Sequence, residues 1–362
     1  MHTPYLRLDL SWTAMLELLD SEKSVFYSLA QDASRTDAQI GELVGLKKGT
    51  VSSVRRRLME ADMLKFVAVP AFNKLGCELF AYQTGSTNPV ESDVKASQYV
   101  EYAKKTPQIF FGVVGIEAFI TFSVHRDLED YEDMVLAYSN YFTGSKKEYR
   151  AKTRRTIFPY SHTRGTFIPN FSRLLHDHLK IKSGKPVDVG LSRAEVETPD
   201  FTDIEKRVLV LLVENPNASD RVVASMAKVS RQAVTRIRNR FEKERVFVRV
   251  CFPRLDRLGF ELFLSAHSRF VLDVPWEKRL QNQPGIVVNR SFYTLTKATE
   301  GVGNYMFSKY ADFSDGLDDV MEWYTKEGVI DEAPDLLLFP VERLTPLRMF
   351  DYGPAVRYLL MG

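Results

Sequence analysis

Cysteine is almost absent: the 362 residues hold two, Cys77 and Cys251, far apart and without metal-ligand spacing. That excludes a disulfide framework and a cysteine zinc site, and it fits a reducing cytoplasm. A dominant charge is lacking too, since 49 Lys and Arg stand against 47 Asp and Glu, a formal net charge of +2. Any nucleic-acid surface must therefore come from local clustering. No apolar run approaches the ~20 residues of a membrane helix. The N-terminal stretch carries Asp9, Glu17, Asp20 and Glu22 among its leucines, so it does not read as a signal peptide. There is no Gly-x-Gly-x-x-Gly, no Gly-Lys-Ser/Thr phosphate loop and no His-Glu-x-x-His pair. These absences predict a cytoplasmic chain that is not an enzyme, with no cofactor, no metal and no membrane partner. What is present is ordinary globular material, 44% hydrophobic and 27% charged, enough for several domains.

The chain also repeats itself. Asp37–Leu64 aligns without a gap on Asp220–Phe247, and in the same register Lys74–Phe80 falls on Arg257–Phe263. So long a period means duplication of a whole multi-domain unit rather than a stacked motif. In the first copy Val25, Phe26 and Leu29 have helical spacing after Ser21, and Asp37 is placed to cap a short helix holding Ile40, Leu43 and Val44. Gly45 breaks that helix, Leu46 packs back from the turn, and Val51, Val54 and Leu58 form the buried stripe of a third. Met63–Val69 reads as a wing strand. The second copy answers with Val208 and Leu212, then Val223 and Met226, Val229, and finally Val234, Ile237 and Phe241, and Pro70 and Pro253 end the two wings.

A β-α-β-β-α-β order follows each wing, which is the ferredoxin-like arrangement. In the first copy it runs through strands Leu79–Thr84, Ile109–Val114, Ala118–Val124 and Thr153–Phe158, with helices Ser92–Lys105 and Leu128–Tyr141. In the second, strands Leu262–Phe270, Ile286–Leu295, Gly303–Tyr310 and Leu336–Pro340 accompany helices near Trp276–Gln281 and Asp315–Thr325. The tails echo as well, Pro169 to Leu174-Leu175 against Pro354 to Leu359-Leu360, and the polar stretch Lys180–Pro199 reads as a linker. The fold class is α+β, a tandem duplication of a winged helix-turn-helix plus a ferredoxin-like domain. Its divisions are an extension (1–20), winged helices (21–76 and 203–259), ferredoxin-like domains (77–160 and 260–343), a closing segment with linker (161–202) and a second closing segment (344–362).

The third helices carry the chemistry. With the apolar stripe inward, Gly49, Ser52, Ser53 and Arg56 face outward in copy one, and Gln232, Thr235, Arg236 and Asn239 in copy two. These side-chain types hydrogen-bond base edges, Arg to guanine, Gln or Asn to adenine, and Ser or Thr to either. Lys47, Lys48, Arg55 and Arg57 surround the first face, with no acid before Glu60. Lys228, Arg231, Arg238 and Arg240 surround the second, with none before Glu242. Such a cluster neutralises phosphates and releases counterions. The two faces differ, so the expected duplex site is an imperfect palindrome, with helices 48–60 and 231–243 in adjacent major grooves. Elsewhere His176-Asp177-His178 reads as a polar linker end, and Asp127, beside His125, as a helix cap.

These residues resemble the Lrp/AsnC (feast/famine) transcription regulators in the Asp37–Leu64 pattern, the Pro70 to Lys74-Leu75-Gly76 exit and the βαββαβ order that follows. The resemblance covers residues 21–160 and again 203–343. It implies double-stranded DNA as partner, a small effector in the sensor domains, and self-association through them. The fusion of two units implies a covalent pseudo-dimer. Gly115, Glu117, Gly303 and Asn304 are the effector-site candidates, although the family's Gly-Asp-Tyr-Asp-like run is replaced here. The chain also resembles sirohaem decarboxylases in layout, for which Arg290, Tyr293, Lys309 and Tyr310 are the candidate residues. A docking adaptor of the transcription machinery is the third reading.

Overall fold

The computed structural model describes residues 18–87, 92–143, 153–165, 168–182, 192–193, 199–275, 278–279, 283–330 and 332–362. Each copy begins with three helices, α1 (Asp20–Gln31), α2 (Asp37–Val44) and α3 (Lys48–Glu60) in the first. Their counterparts are α7 (Asp203–Glu214), α8 (Asp220–Ala227) and α9 (Arg231–Lys243). The apolar stripes read from the sequence are the ones buried, Val51, Val54 and Leu58 in α3 and Val234, Ile237 and Phe241 in α9. Gly45 ends α2 in the left-handed conformation at φ 70°, and Lys228 takes the same conformation at φ 55°. One expectation is corrected here. Thr36, not Asp37, caps α2 by accepting from Gln39 N at 3.3 Å, and Ser219 does the same for α8. The hydroxyls at the cap leave both aspartates free for another partner.

The segments read as wings are strands, β1 (Leu64–Pro70) and β8 (Phe247–Pro253). Each finds its antiparallel partner in the other copy, with Val67 opposite Val250. Those two residues are counterparts in the repeat, so the pseudo-two-fold axis relating the copies passes between them.

Beyond lies the sensor half of each copy. The first holds β2 (Leu79–Ser86), α4 (Ser92–Lys105), β3 (Ile109–Val114), β4 (Ala118–His125), α5 (Leu128–Thr143) and β5 (Thr153–Pro159). The second holds β9 (Leu262–Arg269), α10 (Gly285–Arg290), β10 (Ser291–Thr296), β11 (Glu300–Phe307), α11 (Tyr310–Glu327) and β12 (Asp335–Pro340). The strand expected from Ile286 is therefore half helix, since Pro284 sets the extended entry to a turn that consumes Gly285–Arg290. The strand expected at Gly303 starts three residues earlier, because Glu300–Phe307 pairs along the whole of β9. The helix expected near Trp276 falls mostly outside the described residues, as does most of the linker.

The tails are exchanged. Short strand β6 (Arg164–Gly165) leaves the first copy and pairs with β10 of the second, and β7 (Ser192–Arg193) extends it. In return β13 (Thr345–Met349) pairs with β3 of the first. The sheets thus run β13-β3-β4-β2-β5 and β12-β9-β11-β10-β6-β7. Gly165 is required by this exchange, for a β-carbon there would lie 2.6 Å from Thr294 O. Across the axis the Tyr82 hydroxyl meets Ser265 Oγ at 2.9 Å, again at counterpart positions. Phe80 and Phe122 pack on Tyr293, and Phe111 on Phe263, so one apolar core spans both copies.

Closing helices α6 (Ser172–His178) and α12 (Gly353–Met361) complete the crossing. α6 bridges α1 of its own copy to α10 and β10 of the other, and α12 bridges α7 to the first sensor sheet. Aligned by their starts, the fully buried Leu174 and Leu175 answer to Ala355 and Val356, not to Leu359 and Leu360 as the Leu-Leu echo suggested. Pro354 opens α12, whereas Pro169 precedes α6. No helix among the described residues is long and apolar enough to cross a membrane. Leu175→Ala, at the crossing, is expected to lower the unfolding free energy by about 2–5 kcal/mol. Urea unfolding should show it as a lower midpoint at unchanged slope.

Candidate functional site

The surface to examine first is the outer side of α3 and α9. Two of the arginines read as phosphate contacts in each copy turn inward instead. Arg55 Nη2 lies 2.9 Å from Asp37 Oδ1, and Arg238 Nε lies 2.7 Å from Asp220 Oδ1, the two pairs occupying the same repeat positions. Arg57 pairs with Glu22, only 3% exposed, and Arg240 Nη1 lies 2.9 Å from Glu205 Oε1, again as counterparts. Four arginines thereby tie the third helices to the first two. Thr235 is committed as well, donating to Asp220 Oδ2 at 2.6 Å. Burial pulls the Asp220 carboxyl upward, but the bonds from Thr235 and Arg238 outweigh it and hold it below the ordinary range.

What remains exposed is Lys47, Lys48, Gly49, Ser52, Ser53 and Arg56 on one side, and Lys228, Arg231, Gln232, Arg236 and Asn239 on the other. The ends of the same helices are clamped across the axis. Lys74 Nζ donates to Glu244 O at 2.7 Å beyond α9, and its counterpart Arg257 donates to Ala61 O at 2.8 Å beyond α3. Ala71 N to Val246 O and Arg254 N to Met63 O, each 2.8 Å, repeat the symmetry in the backbone. Each outward face is thus held by the opposite copy.

The effector candidates are not drawn together. Gly115 sits in the β3–β4 turn, where a β-carbon would meet the Phe339 ring at 2.7 Å, and Glu117 beside it is exposed. Gly303 and Asn304 lie in mid-strand rather than in a turn, because β11 is paired on both sides there. Asn304 is buried and donates to Tyr293 O at 3.1 Å. The decarboxylase candidates are likewise dispersed. Arg290 pairs with Asp177 at 2.9 Å, Tyr293 is in the shared core, and Tyr310 is 63% exposed. Between α4, α5 and the first sheet, Tyr99, Tyr102, Phe119 and Tyr138 leave a gap of only about 10 Å³.

Two polar clusters were not foreseen. His267 Nε2 lies 2.7 Å from Glu300 Oε2, and Lys297 Nζ lies 2.8 Å from the other carboxylate oxygen while donating to Ile157 O of the first copy. The His267 hydrogen bond, working against burial and helped by Lys297, brings the Glu300 carboxyl down to about 2. The second cluster locks α12. Tyr358 donates to Asp130 Oδ1 at 2.5 Å, and Arg126 donates to Tyr358 O at 2.7 Å. Asp127 caps α5 as read, accepting from Asp130 N. On the other side His178 Nε2 donates to Leu258 O at 2.6 Å and Nδ1 meets Ser308 Oγ at 3.1 Å. The His-Asp-His run is therefore a buried joint between copies, not a linker end.

No family model matches the sequence. The transcriptional regulator AzlB of Bacillus subtilis (strain 168) is 23% identical over 120 residues, which is 32% of this chain and 76% of that protein. Among solved structures, siroheme decarboxylase NirDL matches at a TM-score of 0.50 and 10% identity over 93% of this chain and 98% of its own. LrpC of B. subtilis matches at 0.32 and 18% identity, over 40% and 95%. The likeness to Lrp/AsnC regulators read from the sequence is therefore borne out, as is the duplicated α+β architecture. At these identities it is a likeness of fold. The expectation that the chain is not an enzyme is overturned, because the structure covering nearly its whole length is an enzyme's, while the regulators cover some 39%.

Glu300 gives a test of the inter-copy cluster. Its folded value lies below the ordinary 4.5, so its contribution is present above pH 4.5 and fades as pH falls towards 2. Glu300→Gln is expected to cost up to about 3 kcal/mol at pH 7, with the difference from the parent shrinking between pH 4.5 and 3. Urea titrations at those pH values read it directly.

Proposed function

We propose that the chain is a cytoplasmic, double-stranded-DNA-binding transcription regulator that works as a covalent pseudo-dimer, with α3 and α9 in neighbouring major grooves. One observation carries this reading. Four arginines and one threonine that would otherwise face the duplex are spent on internal acids, and the side chains left outside are still all basic or hydrogen-bonding over the base-facing turns of both helices. A solvated face has no need of that bias twice. The similarity to AzlB, a transcriptional regulator, points the same way. Half-sites for such a pair lie about one turn, ~34 Å, or a multiple apart. The phosphate-contacting set reduces to Lys47, Lys48, Lys228 and Arg231, and a small effector at the sensor domains would reach the helices through α6 and α12.

A second reading is favoured by the match over 93% of the chain to siroheme decarboxylase NirDL, one structure of which is a complex with an iron-uroporphyrin III analogue. Under it the chain removes carboxylates from an iron tetrapyrrole. Absorption spectra on adding such a tetrapyrrole, with carbon dioxide release, distinguish it from the first reading.

Fluorescence titration of labelled duplexes at two salt concentrations tests the regulator. Affinity is expected to fall steeply with salt, and Lys48→Ala should weaken all sequences about equally and flatten the salt slope by about one. Arg236→Ala should cost ~1–3 kcal/mol on a preferred sequence alone. Salt-independent binding, or an Arg236→Ala effect equal on every duplex, removes the assignment.

A further inference from the structure

Deepening that reading, and resting on it, we infer that the two copies divide the labour: α9 reads bases, α3 holds the backbone, and the DNA partner is an asymmetric duplex with one specified half-site. The comparison runs position by position, because the repeat aligns without a gap. Where α9 presents Gln232, α3 has Gly49, which offers no side chain at all. Where α9 presents Arg236, α3 has Ser53, and Asn239 is answered by Arg56. Gln232, Arg236 and Asn239 are exposed and lie on consecutive turns of one face. Each reaches two atoms of a single base, Gln and Asn the N6 and N7 of adenine, Arg the O6 and N7 of guanine. Copy one has only Arg56 for a two-point contact.

The entry to each helix shows the opposite bias. α3 is preceded by Lys47 and begins at Lys48, both exposed cations with no cap role. At the position of Lys47 the second copy has Ser230, whose hydroxyl is spent accepting from Ala233 N at 3.2 Å. Copy one therefore concentrates charge where phosphates run beside a helix start, and copy two concentrates base-reading groups further along. The hydroxyls differ in freedom too. Thr235 is bound to Asp220, so α9 reads with its three long side chains rather than with a hydroxyl.

The scaffold makes the division effective. The strand pair centred on Val67 and Val250, with Lys74 and Arg257 reaching across to Glu244 O and Ala61 O, fixes the two helices to one frame. When α9 finds its bases, α3 is carried to one defined stretch of backbone on the same duplex. The specified half is a short purine-rich run with guanine flanked by adenines. The other half is set by distance rather than by sequence.

Selection of binding sequences from a random duplex library by the full-length chain, at low and high salt, tests this. The expected motif has one informative half-site and a featureless neighbour, and Arg236→Ala drops affinity for it roughly 10- to 100-fold, towards that for unrelated duplex. The double substitution Gly49→Gln with Ser53→Arg moves the reading face onto α3 and should make a second, inverted half-site appear. A motif with two equally informative halves in the parent chain overturns the division while leaving DNA binding intact. Recovery of no enriched duplex, with no salt-dependent binding to any, overturns the regulator reading beneath it.

Discussion

The strand pair β1–β8 is the constraint on which the molecule depends. It is a short ribbon, seven residues from each copy, and it lies on the axis that relates them. An isolated two-stranded ribbon is marginal in water. This one persists because both faces are covered, α7 of the second copy packing on β1 and α1 of the first on β8. Phe66 takes Arg249 over its ring at 4.5 Å and Arg55 at 5.8 Å, so even the cations nearby are used as cover. From that ribbon the helix-turn-helix modules project on one side and the sensor sheets on the other.

Reciprocity then propagates outward. Each sensor sheet is finished by a strand from the other copy, and each reading module is strapped to the other copy's sensor half by a closing helix. The straps are polar at their ends and apolar along their length. On α6 the residues are His176 against Tyr27 and His178 against Leu258 O, and on α12 they are Arg357 against Glu214 and Tyr358 against Asp130. Breaking one partner of such a joint leaves a buried polar group unmet, which is costlier than losing the bond itself. Neither copy has a complete structure alone, and the duplication is better described as one interlocked domain pair than as beads on a string.

Much of this was legible from residue order. The three-helix modules follow from 3.6-residue apolar spacing, and the structure buries Val51, Val54, Leu58 and their counterparts as read. Strands β2 to β5 follow from short β-branched and aromatic runs. The choice of strand partner was not legible, because the residues paired in β1–β8 are some 180 apart and carry no sign of each other. The inward turn of four arginines was missed although a signal existed. Asp37 and Asp220, Glu22 and Glu205 recur at the same repeat positions as the arginines they bind, and co-recurrence of opposite charges is the mark of an internal pair. The His267–Glu300 cluster had no such mark, since the first copy has Thr84 opposite His267 in the repeat and nothing acidic to match.

The exchanged tails impose an order in time. β3 acquires its outer neighbour only when Thr345–Met349 exists, whereas β10 can be closed by Arg164–Gly165 as soon as it forms. Synthesis runs from the N-terminus, and domains ordinarily settle as they emerge. Here the half made first must wait, its sheet edge bare, until the half made last has left the ribosome. A ribosome pausing between the two would hold an open strand edge in water, and such edges recruit one another.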